Sequence, residues 1–260
     1  MRNRIKAVFF DIDGTLVSFT THTVPVSTRR AIERLRERGI KVFIATGRLL
    51  KHASIVQDIA VDGYITVNGG YCITASGEVI FEQAIPRETV ERVLDLSDKH
   101  DFVVSVMTHE DMYVARNNER VEKIANMISI FPKIADVRAI AAEQSVVQMC
   151  PYISRDLEQE IMPQLPECAG SRWIETFMDL NVKGVDKSLG AKQVMKYYGL
   201  DMSEAMAFGD GGNDVSIVRD VALGVAMGNA CDELKAVADY VTASVDDDGV
   251  EAALEHFGLI

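Results

Sequence analysis

The sequence predicts an α/β fold in which a doubly wound parallel sheet carries an inserted α+β domain. Three observations predict it. Short, continuously apolar runs alternate with helical stretches near both ends of the chain, which is typical of parallel strands covered by helices on both faces. Polar clusters follow several of these runs directly. Between the two ends, hairpin signals mix with helical stretches, which is a different pattern.

The first elements are a strand, a helix and two further strands. The apolar run Ile5–Phe10 predicts a strand that ends at a carboxylate. A helix is expected to begin with Ser27 as N-cap and to end at Gly39. Two more apolar runs predict the second and third strands, Val42–Ala45 and Tyr64–Val67. This alternation predicts the first half of the parallel sheet.

The pattern changes after Gly70. The segments on either side of Ser76-Gly77 predict a hairpin. Helices are then expected over 86–99, 118–130 and 156–161, and strands over 102–107, 112–115, 146–150 and 172–178. This mixture predicts an inserted α+β domain at residues 83–183.

The parallel pattern resumes near Gly184. A helix is expected over 188–198, stopped at Gly199, and is followed by the buried strand Ala205–Phe208. A short strand, a helix and a last strand are expected over 223–226, 232–238 and 240–241. The sequence therefore predicts a Rossmann-like core made of residues 1–82 and 184–260.

Composition excludes several classes of function. The chain has 260 residues and a formal net charge of −12, which disfavours nucleic-acid and membrane-surface partners. The four cysteines are too sparse for a disulfide scaffold or a zinc framework. No apolar run reaches the ~18 residues that a membrane span needs, and the first apolar stretch stops at Asp11, too early for a signal-peptide core. A cytoplasmic location is expected; the oligomeric state stays open.

Three polar clusters follow predicted strands. They are Asp11-Ile12-Asp13-Gly14-Thr15, Thr46-Gly47-Arg48 and Gly209-Asp210-Gly211-Gly212-Asn213-Asp214. The carboxyl ends of parallel strands meet at one edge of the sheet, where open α/β sheets bind ligands. One such cluster alone would be read as a solvated loop that caps a helix. Three of them predict a site.

The chemistry of the clusters favours a magnesium site. Residues two apart in an extended chain point the same way, so Asp11 and Asp13 are expected to face one site. Adjacent carboxylates need a cation or a shared proton, and Asp210 and Asp214 raise the negative charge further. No histidine or cysteine accompanies them, and an all-oxygen set with few protein ligands suits Mg²⁺. Calcium-loop, Walker A and dinucleotide-binding motifs are not matched.

These motifs, in this order, resemble those of the haloacid dehalogenase superfamily. Asp11-Ile12-Asp13-Gly14-Thr15-Leu16 is similar to its first motif, Thr46-Gly47-Arg48 to its second, Lys187 to its third, and Gly209 to Asp214 to its fourth. The insert resembles the large α/β cap of the Cof-like sugar-phosphatase branch. Ser188 departs from that branch, where glycine is usual after the lysine. The resemblance covers essentially the whole chain.

The resemblance implies a Mg²⁺-dependent phosphatase that acts on small phosphomonoesters such as sugar phosphates. Asp11 would attack phosphorus and form an aspartyl-phosphate, and Asp13 would serve as general acid and then base. The metal set would comprise Asp11, the Asp13 backbone carbonyl and Asp210, with Asp214 beside it, orienting a metal-bound water or the lysine. Lys187 would pair with Asp11 and the phosphate. Phosphoryl oxygens would be bound by Thr46, Gly47 and Asn213, and for Arg48 a phosphate contact and a salt bridge stay open.

Three other functions fit the sequence less well. A phosphomutase uses the same core, although mutases of this superfamily usually carry a small, early, helical cap. A dehalogenase would leave Asp13 without a task, and a phospho-aspartate receiver is shorter and has no such insert. The insert is expected to close over the site and select the leaving group. Four of its residues are candidates for that role: Arg172, Trp173, Glu175 and Asp179.

Overall fold

In the computed structural model the chain divides into two compact units. One unit contains the residues up to Phe81 together with Asp186–Ile260, and the other is Glu82–Val185. The structure describes residues 5–128 and 130–260, without the side chain of Trp173. Ser129, inside the predicted helix 118–130, therefore lies outside the described residues. The first unit is called the core and the second the insert.

The strands and helices are numbered along the chain. The strands are β1 (Ala7–Phe10), β2 (Lys41–Ala45), β3 (Gly63–Thr66), β4 (Tyr71–Thr74), β5 (Val79–Glu82), β6 (Val104–Met107), β7 (Met112–Val114), β8 (Lys133–Ile134), β9 (Gln148–Pro151), β10 (Cys168–Ile174), β11 (Phe177–Val182), β12 (Ala205–Gly209), β13 (Leu223–Ala226) and β14 (Tyr240–Val241). The helices are α1 (Val26–Glu37), α2 (Arg87–His100), α3 (Glu119–Ile128), α4 (Val137–Glu143), α5 (Arg155–Ile161), α6 (Lys187–Tyr197), α7 (Val215–Asp220), α8 (Asp232–Val237) and α9 (Gly249–His256).

The core sheet has the order β14-β13-β12-β1-β2-β3-β4-β5, and β1 lies in its middle. The strands from β14 to β3 are parallel, while β4 runs antiparallel to β3 and begins the predicted hairpin. Side chains along β1 alternate between two hydrophobic clusters. Val8 and Phe10 belong to the cluster that includes α1 and α9, and Phe9 belongs to the cluster that includes α6 and α7. Helices on both faces confirm the predicted doubly wound sheet.

The register of the sheet brings three strand ends to the same level. Phe10 is paired with Ile44 of β2 and with Phe208 of β12. The residues that follow these strands therefore begin at one edge, and the amide of Asp11 donates to the carbonyl of Phe208 at 3.2 Å. This edge is where the polar clusters of the core lie.

The insert is a second, mostly antiparallel sheet with the order β10-β11-β9-β6-β7-β8. One hydrophobic cluster joins α2, α4 and α5 to this sheet. Its buried members include Val93 of α2, Ala141 of α4 and Met149 of β9. The insert thus has a hydrophobic cluster of its own.

The structure corrects the prediction of one strand over 172–178. Two antiparallel strands, β10 and β11, meet here at a turn at Glu175 and Thr176. This turn lacks the glycine, proline, asparagine or aspartate that marks most tight turns. The Arg172 side chain holds it instead, because its guanidinium donates to the carbonyls of Glu175 and Phe177. A turn stabilised by an arginine side chain is not marked by the residue types on which turn prediction depends.

Three short helices, α4, α7 and α9, were not predicted. In addition, α1 begins at Val26 rather than after Ser27, whose hydroxyl donates to Asp248 at 2.5 Å. No helix among the described residues is long and apolar enough to cross a lipid bilayer.

Candidate active site

Asp11 lies at the end of β1 and is bound by a fully buried lysine. Nζ of Lys187 is 2.6 Å from Oδ1 of Asp11 and 2.6 Å from Oδ1 of Asp214. The lysine is the first residue of α6, and Asp186 caps that helix by accepting from the Leu189 amide. A buried cation therefore links carboxylates that follow two different strands.

Three carboxylates converge at this edge of the sheet. Oxygen atoms of Asp11, Asp210 and Asp214 all lie within 4.8 Å of one another. Burial, followed by the negative charges of the neighbouring aspartates, raises the pKa of Asp210 to about 8. Burial also raises the pKa of Asp11 to about 7, although Lys187 opposes the shift. One lysine does not balance three carboxylates, so the cluster suits a further cation.

The contacts with Asp11 and Asp214 also determine the charge of Lys187. Burial alone would lower the pKa of its ammonium group, but the adjacent charges of Asp11 and Asp214 outweigh burial and raise that pKa above its ordinary value. The lysine is therefore cationic at neutral pH. It brings a fixed positive charge to the base of the cluster.

Asp214 differs from the other two carboxylates because both of its oxygens are already engaged. Oδ1 accepts from Lys187, and Oδ2 accepts from the amides of Asp210 and Gly211, each at 3.0 Å. Asp214 therefore fixes the loop after β12 and the lysine together. Of the four residues predicted for the metal set, it is the one whose contacts suit positioning rather than coordination.

Asp13 has a different partner from Asp11. The Arg48 guanidinium donates two hydrogen bonds to this carboxylate, one from Nε at 2.7 Å and one from a terminal nitrogen at 2.6 Å. The other terminal nitrogen of Arg48 donates to the carbonyl of His52 at 3.0 Å. Of the two possibilities left open for Arg48, the structure contains the salt bridge.

The turn after Asp13 requires glycine. Gly14 has a φ of +82°, and a Cβ atom at this position would lie 2.1 Å from Oδ2 of Asp210. The chain then returns at once, because the Gly14 amide donates to the carbonyl of Val17 at 2.8 Å. This tight turn is what allows the first cluster to approach the Asp210 carboxylate.

Asn68 is a site residue that the sequence analysis did not select. It lies next to Thr46, Gly47 and Asn213. Asn68, which follows β3, accepts at its Oδ1 from the Asn213 side chain at 3.0 Å. A Cβ atom on Gly47 would lie 3.0 Å from the same oxygen, and the Asn68 amide donates to the Thr46 carbonyl. Asn68 has a φ of +53°, a conformation that asparagine tolerates better than most residues.

Asn229, after β13, is the second residue that the sequence analysis missed. Its side-chain nitrogen donates to the Gly14 carbonyl at 2.8 Å and lies 3.5 Å from Oδ2 of Asp210. Its oxygen accepts from the Val245 amide. The signal was present, since Asn68 and Asn229 both follow strands of the parallel sheet, as the selected clusters do.

In the insert, the hypothesis that Arg172 faces a ligand is wrong. Its side chain is 6% exposed and pairs with Glu158. The guanidinium also donates to four carbonyls of the insert, those of Ile153, Ser154, Glu175 and Phe177. The Trp173 side chain lies outside the described part of the structure.

Comparisons with known proteins identify the family of the chain. A family model described as haloacid dehalogenase-like hydrolase matches residues 8–254. YkrA of Bacillus subtilis (strain 168) is 33% identical over 98% of each chain. The HMP-PP phosphatase of Cronobacter sakazakii is 30% identical over 87% of this chain and 85% of its own length.

Two solved structures share the whole fold. BT1666 of Bacteroides thetaiotaomicron, described among the phosphatases of the HAD superfamily, superposes with a TM-score of 0.93 and 38% identity, covering 98% of this chain and 96% of its own. The subclass IIB sugar phosphatase BT4131 superposes with a TM-score of 0.89 and 40% identity over 98% and 100% of the two chains. The chain therefore belongs to the haloacid dehalogenase-like hydrolase family, in its Cof-like branch, and is a phosphatase.

Proposed function

We propose that the chain hydrolyses small phosphomonoesters, sugar phosphates among them, with Mg²⁺ and through an aspartyl-phosphate on Asp11. The observation that supports this most directly is the buried chain of ion pairs Asp11–Lys187–Asp214. It holds one carboxylate at the end of β1 beside a fixed cation, which suits attack on an anionic phosphoryl group.

Asp11 and Asp13 have different roles in the proposed reaction. An oxygen of Asp11 attacks phosphorus, the ester P–O bond breaks, and the leaving alkoxide takes a proton from Asp13. Asp13 then removes a proton from water, which attacks the same phosphorus and breaks the bond to Asp11. Asp13 therefore enters the cycle protonated. When phosphate is released, Asp11 is again a carboxylate and Asp13 is again protonated. Arg48 orients Asp13 through its two hydrogen bonds.

The donor set fits a hard divalent cation. All the candidate ligands are oxygens, and three carboxylates lie together with one lysine. Burial, with a further contribution from the neighbouring carboxylates, raises the pKa of Asp11 and Asp210. We assign the Asp11 and Asp210 carboxylates and the Asp13 carbonyl to Mg²⁺. Asp214 positions Lys187 instead. When bound, Mg²⁺ would neutralise the charge that otherwise repels phosphate from Asp11.

The remaining polar groups bind the phosphoryl oxygens. We assign this role to the Thr46 hydroxyl, the Gly47 amide and the Asn213 side chain. Asn68 positions Asn213, whose side chain donates a hydrogen bond to it. These groups bind only the phosphoryl group, so substrate choice depends on the other residues that contact the leaving group.

The substrate class is proposed from the relatives. BT4131 is named a sugar phosphatase, and the enzyme of Cronobacter sakazakii is named an HMP-PP phosphatase. Both names describe small phosphorylated metabolites, and the net charge of −12 disfavours a polyanionic substrate.

The test is phosphate release from a panel of phosphorylated metabolites, with kcat/KM for each. The panel should include hexose phosphates, nucleotides and HMP-PP. Turnover is expected with Mg²⁺, loss in excess chelator, and no restoration by Ca²⁺, which prefers more ligands at longer distances. Asp11→Asn should abolish turnover, whereas the exposed Asp58→Asn should not. Full activity in chelator, or in folded Asp11→Asn, would refute the proposal.

A further inference from the structure

Phe19 is an exposed aromatic residue beside the carboxylate cluster. Its side chain is 63% exposed. A Cβ atom built on Gly14 would lie 2.7 Å from Cε2 of the Phe19 ring and 2.1 Å from Oδ2 of Asp210. The ring and the carboxylate therefore flank the same point of the turn.

The loop that carries Phe19 is held in place by its own hydrogen bonds. Ser18 is buried, and its hydroxyl accepts from the amides of Thr20 and Thr21 at 2.9 and 3.1 Å. The Ser18 amide donates to Thr23, and the Ser18 carbonyl accepts from the His22 amide. On the other side, Val17 forms a β-bridge with Asp13. The position of Phe19 is thus tied to the turn that carries Asp13.

An isolated exposed phenylalanine is ordinary on a protein surface. Two features separate Phe19 from that case. Its ring contacts the glycine turn of the first motif, and its loop is fixed by both backbone and side-chain bonds. Tyr197, another exposed aromatic residue of the core, instead donates a hydrogen bond to Glu78, away from the cluster.

We propose that Phe19 is a specificity-determining residue whose ring contacts an apolar face of the leaving group. This inference rests on the proposed function. The polar groups at the sheet edge bind the phosphoryl group, so whatever is esterified to it extends outward past the turn. There an exposed ring gains free energy by covering the C–H face of a sugar or the face of an aryl group. The favoured substrates are phosphomonoesters with such a face next to the ester oxygen.

The test compares three substrates that share a phosphoryl group: a hexose phosphate, p-nitrophenyl phosphate and acetyl phosphate, whose leaving group is small. In Phe19→Ala, kcat/KM should fall about tenfold for the first two and change less than about twofold for acetyl phosphate. Phe19→Leu, which keeps apolar volume but no flat face, should lose about threefold on the first two. Inhibition by inorganic phosphate should be unchanged in both variants. Tyr197→Ala is the matched control and should leave all three values unchanged.

Three other results would contradict the proposed role of Phe19 or of the enzyme. Equal losses on all three substrates, or weaker inhibition by phosphate, would assign Phe19 to the phosphoryl or metal site. Unchanged kcat/KM for every substrate would leave it a surface residue. A wild-type protein that releases phosphate from none of the three with Mg²⁺ would overturn the proposed function itself, and is distinguished by the absence of any wild-type rate.

Discussion

Asp11 and Asp13 are two residues apart and have opposite surroundings. Asp11 is buried and accepts a hydrogen bond from Lys187 at 2.6 Å. Asp13 is partly exposed and accepts two hydrogen bonds from the Arg48 guanidinium. Two carboxylates in different environments suit two different roles. In the proposed mechanism Asp11, as nucleophile, needs a fixed position, and Asp13, as general acid and base, needs access to both the leaving group and water.

The role of Asp13 predicts a dependence on the leaving group. A sugar alkoxide needs a proton to depart, but p-nitrophenolate is a weak base and does not. Asp13→Asn should therefore slow the first step far more for a sugar phosphate, since general acid–base assistance contributes about 10²–10⁴-fold. With p-nitrophenyl phosphate, the variant should give a burst near one equivalent of p-nitrophenol and then turn over slowly, because water lacks its base.

Rapid-quench measurement of both substrates checks this prediction. If Asp13 contributed only its backbone carbonyl, the isosteric asparagine would keep that contact. Modest, similar losses on both substrates with no burst would then be observed, and the assigned role would be wrong.

At the scale of secondary-structure elements, the position of Lys187 depends on close packing between α6 and the end of β3. Gly69, just after β3, has a φ of +99°, and a Cβ atom there would lie 2.0 Å from the carbonyl oxygen of Asp186. Asp186 is the N-cap of α6 and immediately precedes the lysine. The sheet and the helix can therefore approach this closely only with glycine at position 69.

Gly69→Ala should displace the start of α6 and lower kcat about tenfold or more, as small misplacements of catalytic groups do. Gly39→Ala is the matched control, because Gly39 also has a positive φ of +75° but no atom near its Cβ position. The control should lose only about 1–2 kcal/mol of stability to backbone strain and keep its kcat. Equal kcat values in the two folded variants would contradict this packing argument.

The β10–β11 hairpin depends on a single buried guanidinium. Arg172→Ala removes an ion pair and several bonds to carbonyls, so we expect a loss of about 2–4 kcal/mol in the unfolding free energy of the insert. Arg155→Ala, which removes an exposed pair with Glu175, should change it by less than about 0.5 kcal/mol. Hydrogen exchange of the insert amides measures both. Similar protection in the two variants would show that Arg172 is not structural.

For the whole molecule, the raised pKa values predict how the metal-free protein responds to pH. Burial raises the pKa of Asp11 to about 7 and that of Asp210 to about 8, well above the ordinary aspartate pKa of 3.8. Between about pH 4 and pH 8 the folded state therefore binds more protons than the unfolded state, so the free energy of unfolding falls as pH rises through this window.

Thermal unfolding in chelator from about pH 5 to about pH 8.5 tests this relation. The Tm of the wild-type protein should fall more steeply than that of Asp210→Asn, which removes one of the two groups, and Mg²⁺ should restore the wild-type Tm at the alkaline end. Parallel curves for the two proteins would show that the cluster does not carry this charge.

The sequence was sufficient to predict the strands of the core sheet that are continuously apolar. Apolar runs followed by polar clusters indicated parallel strands and the cluster residues, because burial and an abrupt change to polar residues are both visible in a single sequence. Asn68 and Asn229 were missed because one asparagine after a strand looks like any turn residue. The Glu175–Thr176 turn was missed because a hydrogen bond from the Arg172 side chain stabilises it, and the residue types of the turn do not reveal that bond. The contacts of the two asparagines depend on tertiary structure, which local patterns do not encode.

The central claim is that the phosphoryl group passes through Asp11. The most direct measurement is an acid quench of Asp13→Asn during turnover of p-nitrophenyl phosphate, followed by peptide mass spectrometry. The account predicts a stoichiometric acyl-phosphate on the peptide that contains Asp11, and none in the double variant with Asp11→Asn. Phosphate release that continues with no phosphorylated peptide at any quench time, or a phosphoryl group on another residue, would contradict it.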